Sequence, residues 1–305
     1  MKKLLFLTFF VLSGTAQSQT IDRAKLLSDI KTLSSEKFEG RRTGTPGNKL
    51  AADYISKRFR EIGLRSYQEG FRHAFTFKDR AEESKNGTNL IAYVKGRTDK
   101  VIVVSAHYDH LGINGSSLYY GADDNASGVG AMLAFADYFR KNRPQHTLIF
   151  IAFDAEESGL RGAAHFVSEP VVLKSNIVLN INMDMIAHND KQELYASGTY
   201  KNPELKGIIQ DEDKNTGIKM LFGHDLPESG NDDWTMQSDQ GAFAKANIPF
   251  IYFGVEDHKD YHKPTDTFEN INQDFYYGAA TAILKSIIKL DRDLGKLTVL
   301  RIDRQ

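Results

Sequence analysis

Four short runs, residues 101–106, 147–153, 177–183 and 248–253, are built mostly from Val, Ile, Leu, Phe, Ala and Met, and stretches of helical pattern lie between them. Runs this short and this apolar read as strands. Two more strands are expected at 71–77 and 89–94, while apolar residues recur at helical spacing over 128–139, 160–167, 203–215, 240–246 and from 273 to about 290. Ahead of them, Leu26, Ile30 and Leu33 within 21–38 and Ala52, Ile55, Phe59 and Ile62 within 49–62 mark two N-terminal helices. Strands that alternate with helices predict an α/β fold, a mixed, mostly parallel central sheet with helices on both faces. The glycine-rich stretch 40–47 lacks the Gly-Lys-Ser/Thr ending of a phosphate loop and reads as a turn. Residues 223–233 are polar and turn-rich, as in a surface loop beside a site.

Such a fold needs a large core, and 305 residues with 41% hydrophobic and 26% charged side chains supply one. With 39 Lys and Arg against 40 Asp and Glu, the formal charge is −1, which removes the electrostatic footprint of nucleic-acid binding or of attachment to anionic lipid. Cys is absent, so any metal must sit on His and carboxylates. Residues 1–18 read as a signal peptide: Lys2 and Lys3 precede an apolar run over 4–12 broken only by Thr8, and the small residues Ala16 and Ser18 follow. That run is far below the ~20 residues that span a bilayer. A bacterial periplasmic or secreted protein is expected, free of the membrane after cleavage, with residues 19–305 forming a single domain that no internal repeat or linker divides.

Chemistry gathers where the strands end. Run 101–106 leads into His107, Asp109 and His110; run 147–153 into Asp154, Glu156 and Glu157; run 177–183 into Asp184; and run 248–253 leads on to His262. In open α/β sheets ligands bind beyond the carboxyl ends of the strands, so these residues are expected to converge. Any one of them alone is more simply a cap or turn former. Asp123, Asp124 and Asn125, just before the helix at 128–139, read as an N-cap cluster, since Asp and Asn accept free N–H groups there, as well as a source of metal ligands, and one Asp can cap while the next turns to metal.

Taken together, stretches 105–112, 121–128, 154–162, 182–185 and 261–267, with 39–47 ahead of them, resemble the M28 family of zinc exopeptidases, the bacterial aminopeptidases with two zinc ions. The resemblance covers nearly the whole mature chain and implies a zinc-exopeptidase fold of the phosphorylase/hydrolase-like kind. It implies that His107 and Asp184 bind one zinc, Glu157 and His262 bind the other, and Asp124 bridges both. Glu156 then matches the general base, and the Asp124–Asn125 peptide is expected to be cis. Asp109 matches the carboxylate that orients His107, and residues i and i+2 of a strand face the same way, as that role requires. Three carboxylate ligands and a bridging hydroxide balance two Zn²⁺, whereas without metal the clustered acids would repel one another and rise in pKa. The implied activity is hydrolysis of N-terminal residues from peptides through a metal-bridging hydroxide, with Glu156 as base.

Alternatives are a glutaminyl cyclase-like acyltransferase of similar fold with one zinc, or a carboxypeptidase in which Arg161 or Lys263 pairs with the substrate carboxylate. A non-catalytic binding relative would have lost ligands, and every expected ligand is present here. His258 stands four residues before His262, but Pro264 argues against a metal-binding helix and His258 reads as a loop residue. His110 and His188 fall near the site, with packing or supporting roles equally open. Gln240 stands where the family commonly has His, and Trp234 is a candidate pocket wall. No Gly-x-Ser-x-Gly elbow or His-Glu-x-x-His helix supports other hydrolase classes.

Overall fold

The structure is a computed structural model describing residues 20–79 and 81–302; the expected signal peptide and its cleavage point lie outside the described residues. Strands β1 (Arg72–Lys78), β2 (Ser84–Val94), β3 (Val101–His107), β6 (Thr147–Phe153), β7 (Ile177–Met183), β8 (Glu193–Ser197), β9 (Lys219–Phe222) and β10 (Phe250–Gly254) form one sheet in the order β1-β2-β6-β3-β7-β10-β8-β9. Neighbours within β6-β3-β7-β10 run parallel, while β2 and β8 flank that block antiparallel to it. The apolar runs are continuous because both faces of this block are covered, as side chains alternate between them. Ile102, Val104, Phe150 and Ile181 join the core with α1 (Arg23–Leu33), α2 (Pro46–Ile62), α3 (Gly128–Lys141) and α7 (Gln273–Ile302). Val103, Ile149, Ile151 and Phe153 pack with α4 (Arg161–Ser168) and α6 (Gln240–Lys245) on the other face.

Departures from the expected elements have local causes. α1 stops at Leu33, and a 3₁₀ turn over Glu36–Arg41 follows, in which Glu39, Gly40 and Arg41 take φ of 50°, 63° and 54°. α2 begins earlier than its apolar spacing suggests, because Pro46 opens it and the Thr45 side chain accepts from the Asn48 N–H at 3.3 Å. The helix expected over 203–215 is only α5 (Pro203–Ile209), and turns occupy the residues after it. Strands β8 and β9, and the hairpin of β4 (Gly112–Asn114) and β5 (Ser117–Tyr119), are short, and the longest apolar runs among them, three residues in β8 and in β9, are too brief to announce a strand. Among the described residues no helix is long and apolar enough to cross a membrane.

Candidate metal centre

The parallel block delivers its side chains to one rim. His107 is the last residue of β3, Asp184 follows β7 with its N–H on the Phe253 carbonyl at 3.0 Å, Glu156 and Glu157 lie in the turn after β6, and His262 sits in the loop after β10. Asp124 comes from the turn that opens α3, where the Asp124–Asn125 peptide is cis.

These side chains meet. His107 Nε2 lies 3.1 Å from Asp184 Oδ1 and 3.3 Å from Asp124 Oδ1. The other Asp124 oxygen, Oδ2, lies 3.1 Å from His262 Nε2, which is 3.5 Å from Glu157 Oε2. Asp124 therefore presents one oxygen to each of two His–carboxylate sets. His110, which the sequence left undecided, joins the second set: its Nδ1 is 2.9 Å from Glu157 Oε1 and 3.5 Å from Asp124 Oδ2. Its signal was the position three residues past His107, beyond the strand end, where periodicity no longer assigns a facing direction.

The electrostatics follow from how closely these acids are packed. Burial pushes the Glu156 carboxyl well above the usual range, and the like charges of Asp184, Asp239 and Glu157 add to this against the pull of His107. Asp184 is raised too, by burial first, and Asp239 beside it is pushed up to about 7 by burial and by Asp184, with neither Asp239 carboxylate oxygen hydrogen-bonded among the described residues. Burial acts on Asp124 as well, yet His110, His107 and His262 outweigh it and hold that carboxyl well below its ordinary value. Buried acids packed this closely call for cations, and imidazole with carboxylate donors fits zinc. The donor atoms of His107, Asp124 and Asp184, and those of His110, Asp124 and Glu157, lie within 4.8 Å of one another in each group.

The turn carrying Asp124 is built from backbone contacts. Asp266 accepts from the N–H groups of Asp123 at 2.8 Å and Asp124 at 3.1 Å. Asn125 reaches the Met183 carbonyl at 2.9 Å and accepts from the Gly128 N–H at 2.9 Å. Of the cluster expected to accept free N–H groups at the start of α3, it is Asn125 that receives the Gly128 N–H, whereas Asp123 accepts from the Ala187 N–H and pairs with His258. Asp109 also departs from expectation. The His107 Nδ1 contacts the Asp109 backbone carbonyl at 3.1 Å, with the carboxylate 3.8 Å away, because the strand ends at His107 and its alternation does not reach residue 109. The Asp109 carboxylate instead accepts from the N–H groups of Glu156 at 3.0 Å and Glu157 at 3.3 Å.

Gln240 does not line the site. Fully buried, it accepts from Asn182 at 2.9 Å and donates to the Trp234 carbonyl at 2.7 Å, bracing β7 against the loop ahead of α6. Trp234 does form a wall: with Tyr252, Tyr261 and Met185 it bounds a cavity of about 90 Å³ over His107, Glu156 and His262. Beyond Glu157 and His262 lies a second cavity of about 430 Å³, lined in part by Arg42, His110 and Asn114. The Tyr252 hydroxyl donates to the Asp184 carbonyl at 3.2 Å, whereas the Tyr261 ring stacks on His262 at 4.0 Å.

Residues 89–287, which span all the candidate ligands, match the sequence profile of peptidase family M28. The chain belongs to peptidase family M28. This M28 chain is 34% identical over 182 residues to the alkaline phosphatase isozyme conversion protein of Escherichia coli, covering 55% of this chain and 52% of that protein. It is 30% identical over 212 residues to aminopeptidase YwaD of Bacillus subtilis, covering 65% of this chain and 44% of that one. The chain therefore spans about half the length of these curated relatives. In fold it is similar to a zinc aminopeptidase from Bacillus subtilis, with a TM-score of 0.71 at 17% identity over 90% of this chain and 97% of that one. It is equally similar to the glutaminyl cyclase of Porphyromonas gingivalis, with a TM-score of 0.74 at 16% identity over 88% of this chain and 99% of that one. The M28 membership and the observed sheet agree with the fold expected from the strand–helix alternation.

Proposed function

We propose that this M28 chain is a zinc-dependent aminopeptidase in which His107 and Asp184 hold one ion, Glu157 and His262 hold a second, and Asp124 bridges them. The observation that carries this reading is the division of the Asp124 carboxylate, with Oδ1 at 3.3 Å from His107 and Oδ2 at 3.1 Å from His262. Bound zinc would supply Lewis acidity, lowering the pKa of water and polarising the scissile carbonyl. Glu156 takes the proton from the attacking water and returns it to the leaving amine. Asp109 acts through the backbone, fixing the Glu156–Glu157 turn rather than the imidazole. Tyr261, whose hydroxyl has no hydrogen bond among the described residues, is the cavity tyrosine free to donate to the developing oxyanion. The acids over the cavity favour a free α-amine. Residues 1–18 act as a signal peptide in this reading and 19–305 form one periplasmic or secreted domain, a placement supported by the basic start, apolar run and small residues at the N-terminus.

A panel of free-amine, N-acetylated and C-amidated peptides, with one arm carrying N-terminal Gln and zinc measured on the same sample, tests this. Cleavage of free-amine and C-amidated substrates, none of the acetylated ones, and two zinc ions per chain are expected. Release of C-terminal residues from acetylated peptides would make the enzyme a carboxypeptidase, and cyclisation of the Gln peptide without hydrolysis would make it a cyclase. Support for the bridging acid is testable separately: Asp266→Asn replaces an acceptor facing two N–H groups with an amide, and is expected to weaken zinc binding about 10–100-fold in competition with a chelating dye. Unchanged affinity would remove Asp266 from the support of Asp124.

A further inference from the structure

We propose that His188, His258 and Asp260 form an additional divalent-metal site, of the two-histidine, one-carboxylate type that takes zinc or a similar transition ion, separate from the ligands assigned above. One donor atom from each of the three lies within 4.8 Å of the others. Among the described residues two polar atoms here have no hydrogen-bond partner although their residues are buried: His188 Nδ1, on a residue 6% exposed, and Asp260 Oδ2, on one 5% exposed. They stand 3.7 Å apart, too far for a hydrogen bond. That distance is near the roughly 3.4 Å that separates two donors on a tetrahedral ion with bonds of about 2.1 Å.

The surroundings set the donors as a metal site requires. The Thr265 hydroxyl donates to Asp260 Oδ1 at 2.6 Å, which leaves Oδ2 as the free oxygen. His258 Nε2 donates to Asp123 Oδ2 at 3.0 Å, which puts its proton on Nε2 and its lone pair on Nδ1. Asp123 is itself held by the Ala187 N–H at 2.6 Å, so carboxylate, imidazole and donor nitrogen form the chain that orients metal-binding histidines. Among the described residues the Nδ1 lone pair meets only the Asp260 N–H, at 3.3 Å. The two rings stack at 4.0 Å with 22° between their planes, so uptake exchanges this stack for coordination as His188 tips to bring its Nδ1 toward that of His258. His188 lies four residues after Asp184 and Asp260 two before His262. An ion here would pin the exit of β7 to the loop carrying His262.

The test counts metal. The mature chain and its His188→Gln variant are stripped with chelator, dialysed against buffered zinc, and analysed for zinc per chain by mass spectrometry. The variant is expected to hold one ion fewer than the wild type; equal content would overturn the site and leave an ordinary buried pair, bridged at most by water. The difference does not depend on whether the main centre takes one ion or two, so it stands apart from the outcome of the peptide panel. If His188→Gln does not fold, cobalt titration of the wild-type chain decides: one more equivalent, with its own visible absorption, is expected beyond those of the main centre, and its absence is the contrary result.

Discussion

Glu156→Gln is expected to lower kcat by about 10²–10⁴-fold while zinc content and KM stay near the wild-type values. The substitution keeps size and shape and removes only the ability to accept a proton. The turn is not disturbed, because what Asp109 grips is the backbone N–H of Glu156, at 3.0 Å, not its side chain. None of these His–carboxylate contacts around Asp124 involves Glu156, so the proposed ligand set is untouched. Burial and neighbouring acids lift its carboxyl, and bound cations would draw it part of the way back, toward the range where a base works best near neutral pH. Steady-state kinetics with metal analysis on the same preparation checks both halves. Wild-type turnover would remove Glu156 from the chemistry, and loss of zinc would make it a ligand.

The parallel core and most of the candidate ligands were legible in the sequence for a common reason. A strand buried on both faces must be apolar along its length, so the polar residue that breaks the run marks the strand's end, and in this sheet that end is the site. His107, Asp184 and the Glu156–Glu157 pair all stand at such breaks. His262 follows the end of its strand less closely, eight residues past Gly254, so its place among the candidates leaned on its family-like neighbourhood as well. What stayed hidden depends on contacts between distant loops. Asp266 grips the Asp123 and Asp124 backbone across more than 140 residues, and no local pattern separates such an acid from an exposed one. Asp109 was matched to the carboxylate that orients His107 by the family resemblance, and alternation could not refine that match past the end of the strand: the carboxylate lies 3.8 Å from the imidazole and accepts from the N–H groups of Glu156 and Glu157.

Arg41→Met is expected to destabilise the fold by more than about 4 kcal/mol, a large share of the 5–15 kcal/mol typical of a folded domain. Arg41 is fully buried, and among the described residues its guanidinium binds only backbone carbonyls: Tyr108 at 2.9 Å, Leu33 at 2.7 Å, Tyr120 at 2.8 Å and Gly121 at 2.8 Å. Burial pushes its pKa down to about 10, with Asp124, Asp266, Asp109 and Glu157 opposing the fall, so it remains a cation at neutral pH. Met fills much of the volume and leaves four carbonyls unpaired, each costing about 1–3 kcal/mol where water cannot replace the lost donor. The turn has no reserve of its own, since Glu39 and Arg41 already sit at positive φ, a conformation that costs a non-glycine residue roughly 1–2 kcal/mol. Arg41→Lys keeps the charge but has no planar fork to span four acceptors, so its loss is expected to fall between wild type and Met. Urea unfolding of both variants is the measurement, and Lys carries it alone should Met fail to accumulate. A Met variant within 1 kcal/mol of wild type would mean that these loops, which bring His107 and Asp124 together, are held by the core beneath them and not by the buried guanidinium.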